Sequence, residues 1–283
     1  MNEKIVKKLN GHSGCNVFLI HSDDNLFFVR KISKDISYNS RLEKQFEKQS
    51  SFVNSKIYAP KVLNSGYING LFFFDMEFIK GTSLSAYLET IDVCKIPELV
   101  EKLFSFIIHN EQPPVMYSGH SNDIFRKKID DLSKAKVFND DNTLMGVLLF
   151  LKQYDWSNFK STWCHGDFTT ENLIVNGNNS FYAIDFLDSF FDCWQMDVAT
   201  LLQDVECLWA YRKYKQIVTN TKIRAIIFRD NLLEKVNQFG YVYIKDVYCA
   251  LLLKLLRICP YCDDANDIAF LKKCINNIFR KVK

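Results

Sequence analysis

From residue 4 to residue 32 the chain runs through three short apolar-rich segments, KIVKKLN, CNVFLIHS and NLFFVRKI. The polar turns Gly11-His12-Ser13-Gly14 and Ser22-Asp23-Asp24-Asn25 separate them. Such spacing predicts three β-strands. In the third, alternation puts Phe27, Val29 and Lys31 on one face and Phe28 and Arg30 on the other. Residues 39–54, NSRLEKQFEKQSSFVN, predict a helix with Leu42, Phe46 and Val53 to one side. The run LFFFDMEFIKG (71–81) reads as a buried strand closing on Gly81. From residue 82 the period turns helical. Thr82-Ser83 offers a cap for SLSAYLET, and IPELVEKLFSFIIHN (96–110) continues to the break at Pro113-Pro114. Residues 117–142 are polar and of mixed charge, a loop or an inserted helix, and 143–155 are amphipathic. A helix over DVATLLQDVECLW and three more in 221–283 complete the pattern.

The stretch Trp163–Asp185, WCHGDFTTENLIVNGNNSFYAID, differs from all of this. Two β-prone runs, Leu173-Ile174-Val175 and Phe181-Tyr182-Ala183-Ile184, flank Asn176-Gly177-Asn178-Asn179, and Asn-Gly in that setting predicts a hairpin. Asn172 enters its first strand and Asp185 leaves its second. The hairpin therefore brings Asp167, Asn172 and Asp185 to one end. Three oxygen-bearing side chains there suit a hard cation such as Mg2+, which prefers oxygen ligands and keeps phosphates and waters in its shell.

The spacing also matches phosphoryl-transfer chemistry. In protein kinases an Asp takes the proton of the attacking hydroxyl, an Asn five residues later holds Mg2+, and a downstream Asp holds Mg2+ against the phosphates. Here His165-Gly166-Asp167 stands for His-Arg-Asp, and Ile184-Asp185-Phe186 for Asp-Phe-Gly. With those two replacements the stretch resembles the aminoglycoside phosphotransferase and choline kinase family. The resemblance implies an α+β, bilobal, protein-kinase-like fold. Its small antiparallel β-rich lobe would span residues 1–80 and its larger, mostly helical lobe residues 81–283. It also implies Asp167 as the catalytic group, Asn172 and Asp185 as Mg2+ ligands, and ATP as phosphate donor.

Further residues follow from that resemblance. Gly11 and Gly14 sit where kinases carry a glycine-rich phosphate loop, in a degenerate form. One cation of the third strand, Lys31 or Arg30, would pair with the α- and β-phosphates. A helical Glu, either Glu43 or Glu47, would pair with that cation. Glu77 and Ile79 sit where a hinge would hold adenine through backbone groups. His165 either braces its loop or joins in proton transfer. Asp197 is a helix cap or, as in the family, a brace for the catalytic loop. Asp188, Asp192 and Asp204 read either as solvated or capping carboxylates or as contacts to the acceptor. Only twelve residues separate Asp185 from the next helix, too few for the long activation segment with which protein kinases seat a polypeptide. That points to a small-molecule acceptor, and the IDFLDS segment resembles phosphotransferases of bacterial surface-polysaccharide pathways, so the acceptor is expected to be a sugar or an amino alcohol.

Composition sets the outer bounds. The 283 residues are 48% hydrophobic and 24% charged, ordinary for a globular chain, with 24 Phe but only 10 Gly and 5 Pro. A net charge of +3 without a basic cluster gives nucleic-acid binding no support. Nine scattered cysteines do not form a closed disulfide framework. Cys259-Pro260-Tyr261-Cys262 has a redox-motif form but follows a long amphipathic helix, away from the βαβ setting such a site needs. With no apolar leader and no spanning segment, a cytoplasmic location is expected. Two rival functions share these residues: a protein kinase, and a nucleotide-binding scaffold without catalysis.

Overall fold

Strands β1 (Glu3–Leu9), β2 (Cys15–Ser22), β3 (Phe27–Ser33), β5 (Val62–Ile68) and β6 (Leu71–Glu77) form an antiparallel sheet of order β1-β2-β3-β6-β5 in the computed structural model. The structure describes residues 3–9, 15–108, 117 and 119–283. The chain divides into two units, Met1–Ser83 with Asn172–Asp188, and Leu84–Glu171 with Ser189–Lys283.

In the first unit, α1 (Asn39–Ser50) packs on the five-stranded sheet over Cys15, Val29, Leu42, Phe72, Phe74 and Met76. A fully buried ring such as Phe74 contributes about 1.5–3 kcal/mol through removal from water. Helix α1 is shorter than its period suggests. It ends at Ser50, and Val53 is 68% exposed. Asn54 stops it: its side-chain oxygen accepts from the amides of Lys56 (2.8 Å) and Ile57 (3.1 Å) and turns the chain.

A second sheet runs β4 (Ile57–Tyr58), β9 (Phe181–Ala183), β8 (Leu173–Asn176), β7 (Gly81–Ser83). Strand β4 is parallel to β9, and β7 is antiparallel to β8. These ladders tie residues 172–188 to the N-terminal unit. Thr82 and Ser83 are therefore strand residues opposite Val175 and Ile174, and α2 begins after them, at Leu84–Leu88. Gly81 is required: a Cβ there would lie 2.4 Å from the Val175 carbonyl oxygen. The β8–β9 turn is wider than a two-residue Asn-Gly turn. Asn179, at φ 55°, supplies the left-handed residue, and the Asn176 side chain accepts from the amides of Asn178 (3.0 Å) and Ser180 (2.9 Å).

The second unit is helical: α3 (Ile96–Ile108), α4 (Ser121–Ser133), α5 (Lys136–Asn139), α6 (Asn142–Gln153), α7 (Trp194–Val205), α8 (Thr219–Asn237), α9 (Tyr241–Ile258) and α10 (Ala265–Val282). Helices α4 and α5 resolve the polar 117–142 stretch. Phe125 and Ile129, one turn apart, are buried there, and Phe125 stacks on Trp156 with centroids 4.2 Å apart. All residues of α9 from Asp246 to Leu256 are buried. Cys259 is buried at the end of α9, its thiol pushed up to about 12 by burial, and none of the nine cysteines forms a disulfide. No helix among the described residues is long and apolar enough to cross a membrane.

Candidate active site

In the first unit the candidate residues gather around Lys31. The β3 alternation separates the two strand cations. Lys31 points inward and is 2% exposed, and its ammonium donates to Asp185 Oδ1 at 2.7 Å and to Gln45 Oε1 at 3.1 Å. Burial disfavours the charge of Lys31, but Asp185 and its other neighbours outweigh that and hold its pKa above the ordinary value. Arg30 points to the opposite face. It forms a bidentate pair with Asp75 (2.7 and 2.8 Å), a 2.6 Å bond to Glu3, and lies over the Phe73 ring at 4.7 Å. These partners occupy the Arg30 guanidinium within its own sheet, which corrects the expectation that Arg30 could serve the phosphates.

The helical partner of Lys31 also differs from expectation. It is Gln45, not Glu43 or Glu47. Leu42, Gln45 and Gln49 are the buried stripe of α1, whereas Glu47 is exposed and Glu43 accepts from the Tyr67 hydroxyl. Spacing of three and four residues fixes this: a helix whose Leu42 faces the sheet turns residue 45 inward with it and residue 47 away.

Asp185 follows β9 with φ 61°, a left-handed conformation that costs a non-glycine residue about 1–3 kcal/mol. The next residues hold it there. Phe186 packs on Phe52 with centroids 5.0 Å apart, and Lys48 donates to the Leu187 carbonyl at 2.8 Å. Leu173 pairs with Ala183 across the hairpin, and the Ile184 amide donates to the Asn172 carbonyl at 2.9 Å. Asn172 and Asp185 therefore share one hairpin end. Their amide and carboxylate oxygens are donors that Mg2+ accepts. No group of three or more His, Cys, Asp or Glu side chains able to hold a metal occurs among the described residues. A pair of protein ligands, leaving the remaining positions to phosphates and water, fits Mg2+ bound with a nucleotide rather than in an all-protein cage.

Glu77 ends β6, exposed, with its amide donating to the Lys61 carbonyl at 2.9 Å, while Ile79 is buried. Gly11 and Gly14 lie outside the described residues.

In the second unit, the loop carrying Asp167 is fastened to α7 at two points. Asp197, in the first turn, accepts from the amides of His165 (2.7 Å) and Gly166 (3.2 Å). Asp204, seven residues on and so on the same helix face, accepts from the amide (2.7 Å) and hydroxyl (2.8 Å) of Thr170. Between these clamps the Asp167 amide donates to His165 Nδ1 at 3.3 Å, and the Asp167 carbonyl accepts from the Thr169 amide at 2.8 Å. His165 is fully buried and braces the loop through that ring nitrogen. Gly166, at φ 89°, takes the left-handed turn between them.

A family model described as the phosphotransferase enzyme family matches residues 6–215. The chain belongs to that family. It is an enzyme of the small-molecule kinase class, with the protein-kinase-like fold. Solved structures of this fold include aminoglycoside phosphotransferase APH(4)-Ia, with TM-score 0.68, 16% identity, and 100% of this chain and 95% of that chain covered. A putative fructosamine-3-kinase from Haemophilus somnus gives TM-score 0.58 and 14% identity over 98% and 91% of the two chains. The choline kinase LicA from Streptococcus pneumoniae gives TM-score 0.53 and 13% identity over 99% and 94%. A search of curated proteins gives no significant match.

Three residues of this phosphotransferase, buried and polar, carry no motif signal. Gln45 is hidden because glutamine rarely marks a site. Asp204 is buried and clamps Thr170, and its seven-residue spacing from Asp197 is the trace it leaves. Asp192 is likewise buried, accepting from the Cys164 thiol at 3.2 Å and the Ser189 amide at 3.3 Å. Asp188 is exposed and faces Lys44 at 3.5 Å. The third, Lys254, interrupts an otherwise apolar run, ALLLKLL.

Proposed function

We propose that this enzyme transfers the γ-phosphate of ATP, with Mg2+, to a hydroxyl of a small molecule. Asn172 and Asp185 hold Mg2+ against the phosphates, and the metal neutralises charge that builds on the transferring group. Lys31 pairs with the α- and β-phosphates and keeps Asp185 aligned. Asp167 orients the acceptor hydroxyl and takes its proton. Phosphoryl transfer has a loose transition state, so positioning outweighs basicity and Asp167 needs no raised pKa. Gly11, Gly14, Glu77 and Ile79 remain proposed nucleotide contacts by position. The acceptor class is a sugar or amino alcohol of a surface-polysaccharide pathway, on the likeness of the IDFLDS segment. Nine cysteines without a disulfide support a reducing, cytoplasmic setting.

The observation that carries this reading is the 2.7 Å pair between Lys31 and Asp185, at a strained residue sharing a hairpin end with Asn172. Incubation with γ-labelled ATP and Mg2+ against sugars, amino alcohols and a peptide library tests it. Label should pass to a small molecule and should not do so with Asp167→Ala. Transfer to peptides alone, or transfer that survives Asp167→Ala, would overturn it.

A further inference from the structure

In the second unit, α10 lies along the segment that follows α7, and one face of the helix makes the seam. Asp267, Cys274 and Lys281 follow one another at a spacing of seven residues, about two turns, and so share that face. Asp267 meets Lys213 at 2.8 Å and Arg212 at 3.9 Å. The Phe270 and Trp209 rings lie 6.1 Å apart, centre to centre. Lys281 donates to Glu206 at 2.7 Å. Between these contacts the Cys274 thiol donates to the carbonyl of Cys207 at 3.8 Å. Ion pairs on either side fix the register of the seam, and that register sets Cys274 against residue 207.

Among the buried cysteines these two are the least sealed. Cys274 is 9% and Cys207 7% exposed, whereas Cys15, Cys164, Cys193, Cys249 and Cys259 are at 2% or less. A small oxidant therefore reaches this pair before the others. Cys207 lies past the end of α7, in the turn that Leu208 closes at φ 56°. A disulfide brings two sulfurs to about 2.05 Å, and one end of this pair stands outside a helix, where the chain can adjust. The electrostatics separate the two thiols. A hydrogen bond from the Cys207 thiol holds Cys274 below the ordinary thiol pKa and holds Cys207 well above it. The thiolate is the reactive form, so Cys274 is the sulfur that meets an oxidant and Cys207 the one that resolves it.

We propose that Cys207 and Cys274 are a modification site, which hydrogen peroxide closes into a reversible disulfide that staples α10 to the end of α7. The Cys274 thiolate attacks one peroxide oxygen. A sulfur–oxygen bond forms and the oxygen–oxygen bond breaks. The released hydroxide takes up the proton that Cys274 gave up and leaves as water, and Cys274 becomes a sulfenic acid. The Cys207 sulfur then attacks the Cys274 sulfur. The disulfide forms, the sulfur–oxygen bond breaks, and hydroxide leaves with the Cys207 proton as a second water. Two electrons pass from the sulfurs to the peroxide, and exchange with an external thiol returns the pair to its reduced form. The closed loop takes in α8 and α9, and a link across so long a loop stabilises by restricting the unfolded chain. A reducing cytoplasm accommodates this, since disulfides there are transient and redox-sensing. The site uses no residue of the proposed phosphoryl-transfer chemistry and does not rest on that reading.

The test treats the reduced full chain with a small excess of hydrogen peroxide, alkylates the remaining thiols, and maps peptides without reduction. The product should carry two fewer alkylatable thiols. The tryptic peptide that begins at Cys274 should be joined to the one that carries Cys207, and reductant should release it. That second peptide also holds Cys164 and Cys193. Cleavage at Met196 as well parts Cys207 from both, so the wild-type chain alone identifies the partner. The oxidised chain should melt about 4 °C or more above the reduced one. In Cys207→Ala and in Cys274→Ala both the link and the rise should be lost. Both cysteines still alkylated after peroxide, a link from either to another cysteine instead, a link that survives Cys207→Ala, or a link without a rise in melting temperature overturns the proposal. None of these readouts uses nucleotide or acceptor, so their failure leaves the phosphotransferase reading where it stands.

Discussion

The Lys31 ammonium and the Asp185 carboxylate stand 2.7 Å apart, joining a strand of the five-stranded sheet to the residue that leaves the β8–β9 hairpin. Lys31 is almost wholly buried, whereas the Asp185 side chain is about a third exposed, at 33%. The pair thus has one anchored partner and one that can still meet a ligand. Lys31→Met keeps the volume and removes the charge. It should lower kcat/KM by about 10²–10³, the range typical of removing one group that stabilises transition-state charge. The melting temperature should hold, because a buried ammonium is lost along with its desolvation cost. Steady-state kinetics beside a thermal melt on the same sample checks both halves.

Arg30 provides the contrast. Its guanidinium is tied to Asp75 and Glu3, and Asp75 is only 4% exposed. Arg30→Gln leaves a buried carboxylate without its partner, so it should destabilise the chain by about 2–4 kcal/mol. Turnover at a temperature where the variant remains folded should stay within about twofold of wild type, below the tenfold that 1.4 kcal/mol would give. Denaturant unfolding and kinetics together measure this. A large loss of kcat with unchanged stability would exchange the roles given to the two cations.

How much of this was legible in the sequence follows the physics of each element. The β8–β9 strands and the shared end of Asn172 and Asp185 could be read because period-two alternation and turn residues are local signals. The wider turn could not, because Asn176 uses its side chain to take over the bonds that an Asn-Gly pair would have made. Strand alternation separated Lys31 from Arg30, but only the positions of Asp75 and Asp185, 45 and 154 residues away in sequence, assign a partner to each. Gln45 carries no local signal, because an acid is the usual partner and Glu43 and Glu47 supply that pattern, although the Leu42 period already turns residue 45 inward. The role of Asp204 depends on a tertiary contact with Thr170, 34 residues earlier, and leaves only a seven-residue spacing from Asp197.

Asp204 should make stability depend on pH. Burial raises its pKa from the ordinary carboxylate range to about 7, against the opposing bonds from Thr170. The folded chain then binds a proton that the unfolded chain has released between about pH 4 and pH 7. Stability is therefore full below pH 4 as far as this group is concerned, and falls as pH rises to 7, by about 4 kcal/mol at most. Asp204→Asn keeps an oxygen for Thr170 and removes the titration. Its unfolding free energy should exceed wild type at pH 8 and should lose this part of the slope between pH 5 and 8. Urea unfolding at several pH values gives the two slopes. Parallel curves would show that Asp204 is ionised throughout.

Gly81 should not accept a side chain. A methyl group there meets the Val175 carbonyl oxygen and the Ile174 side chain at 2.4 and 2.7 Å, and the first is backbone that cannot swing away. Gly81→Ala should part β7 from β8 and cost about 1–3 kcal/mol, as overpacking does. A thermal melt shows it. Because β8 begins next to Asn172, the apparent affinity for Mg2+ should fall in the same variant.

The central claim is that Asp185, with Asn172, holds Mg2+ against a nucleotide while Asp167 serves the acceptor. Calorimetric titration with ATP, with and without Mg2+, of wild type, Asp185→Asn and Asp167→Asn tests it most directly. Binding should require Mg2+ in wild type, survive in Asp167→Asn, and be lost or at least about tenfold weaker in Asp185→Asn, a change of about 1.4 kcal/mol or more. ATP affinity that ignores both the metal and Asp185→Asn would contradict the account.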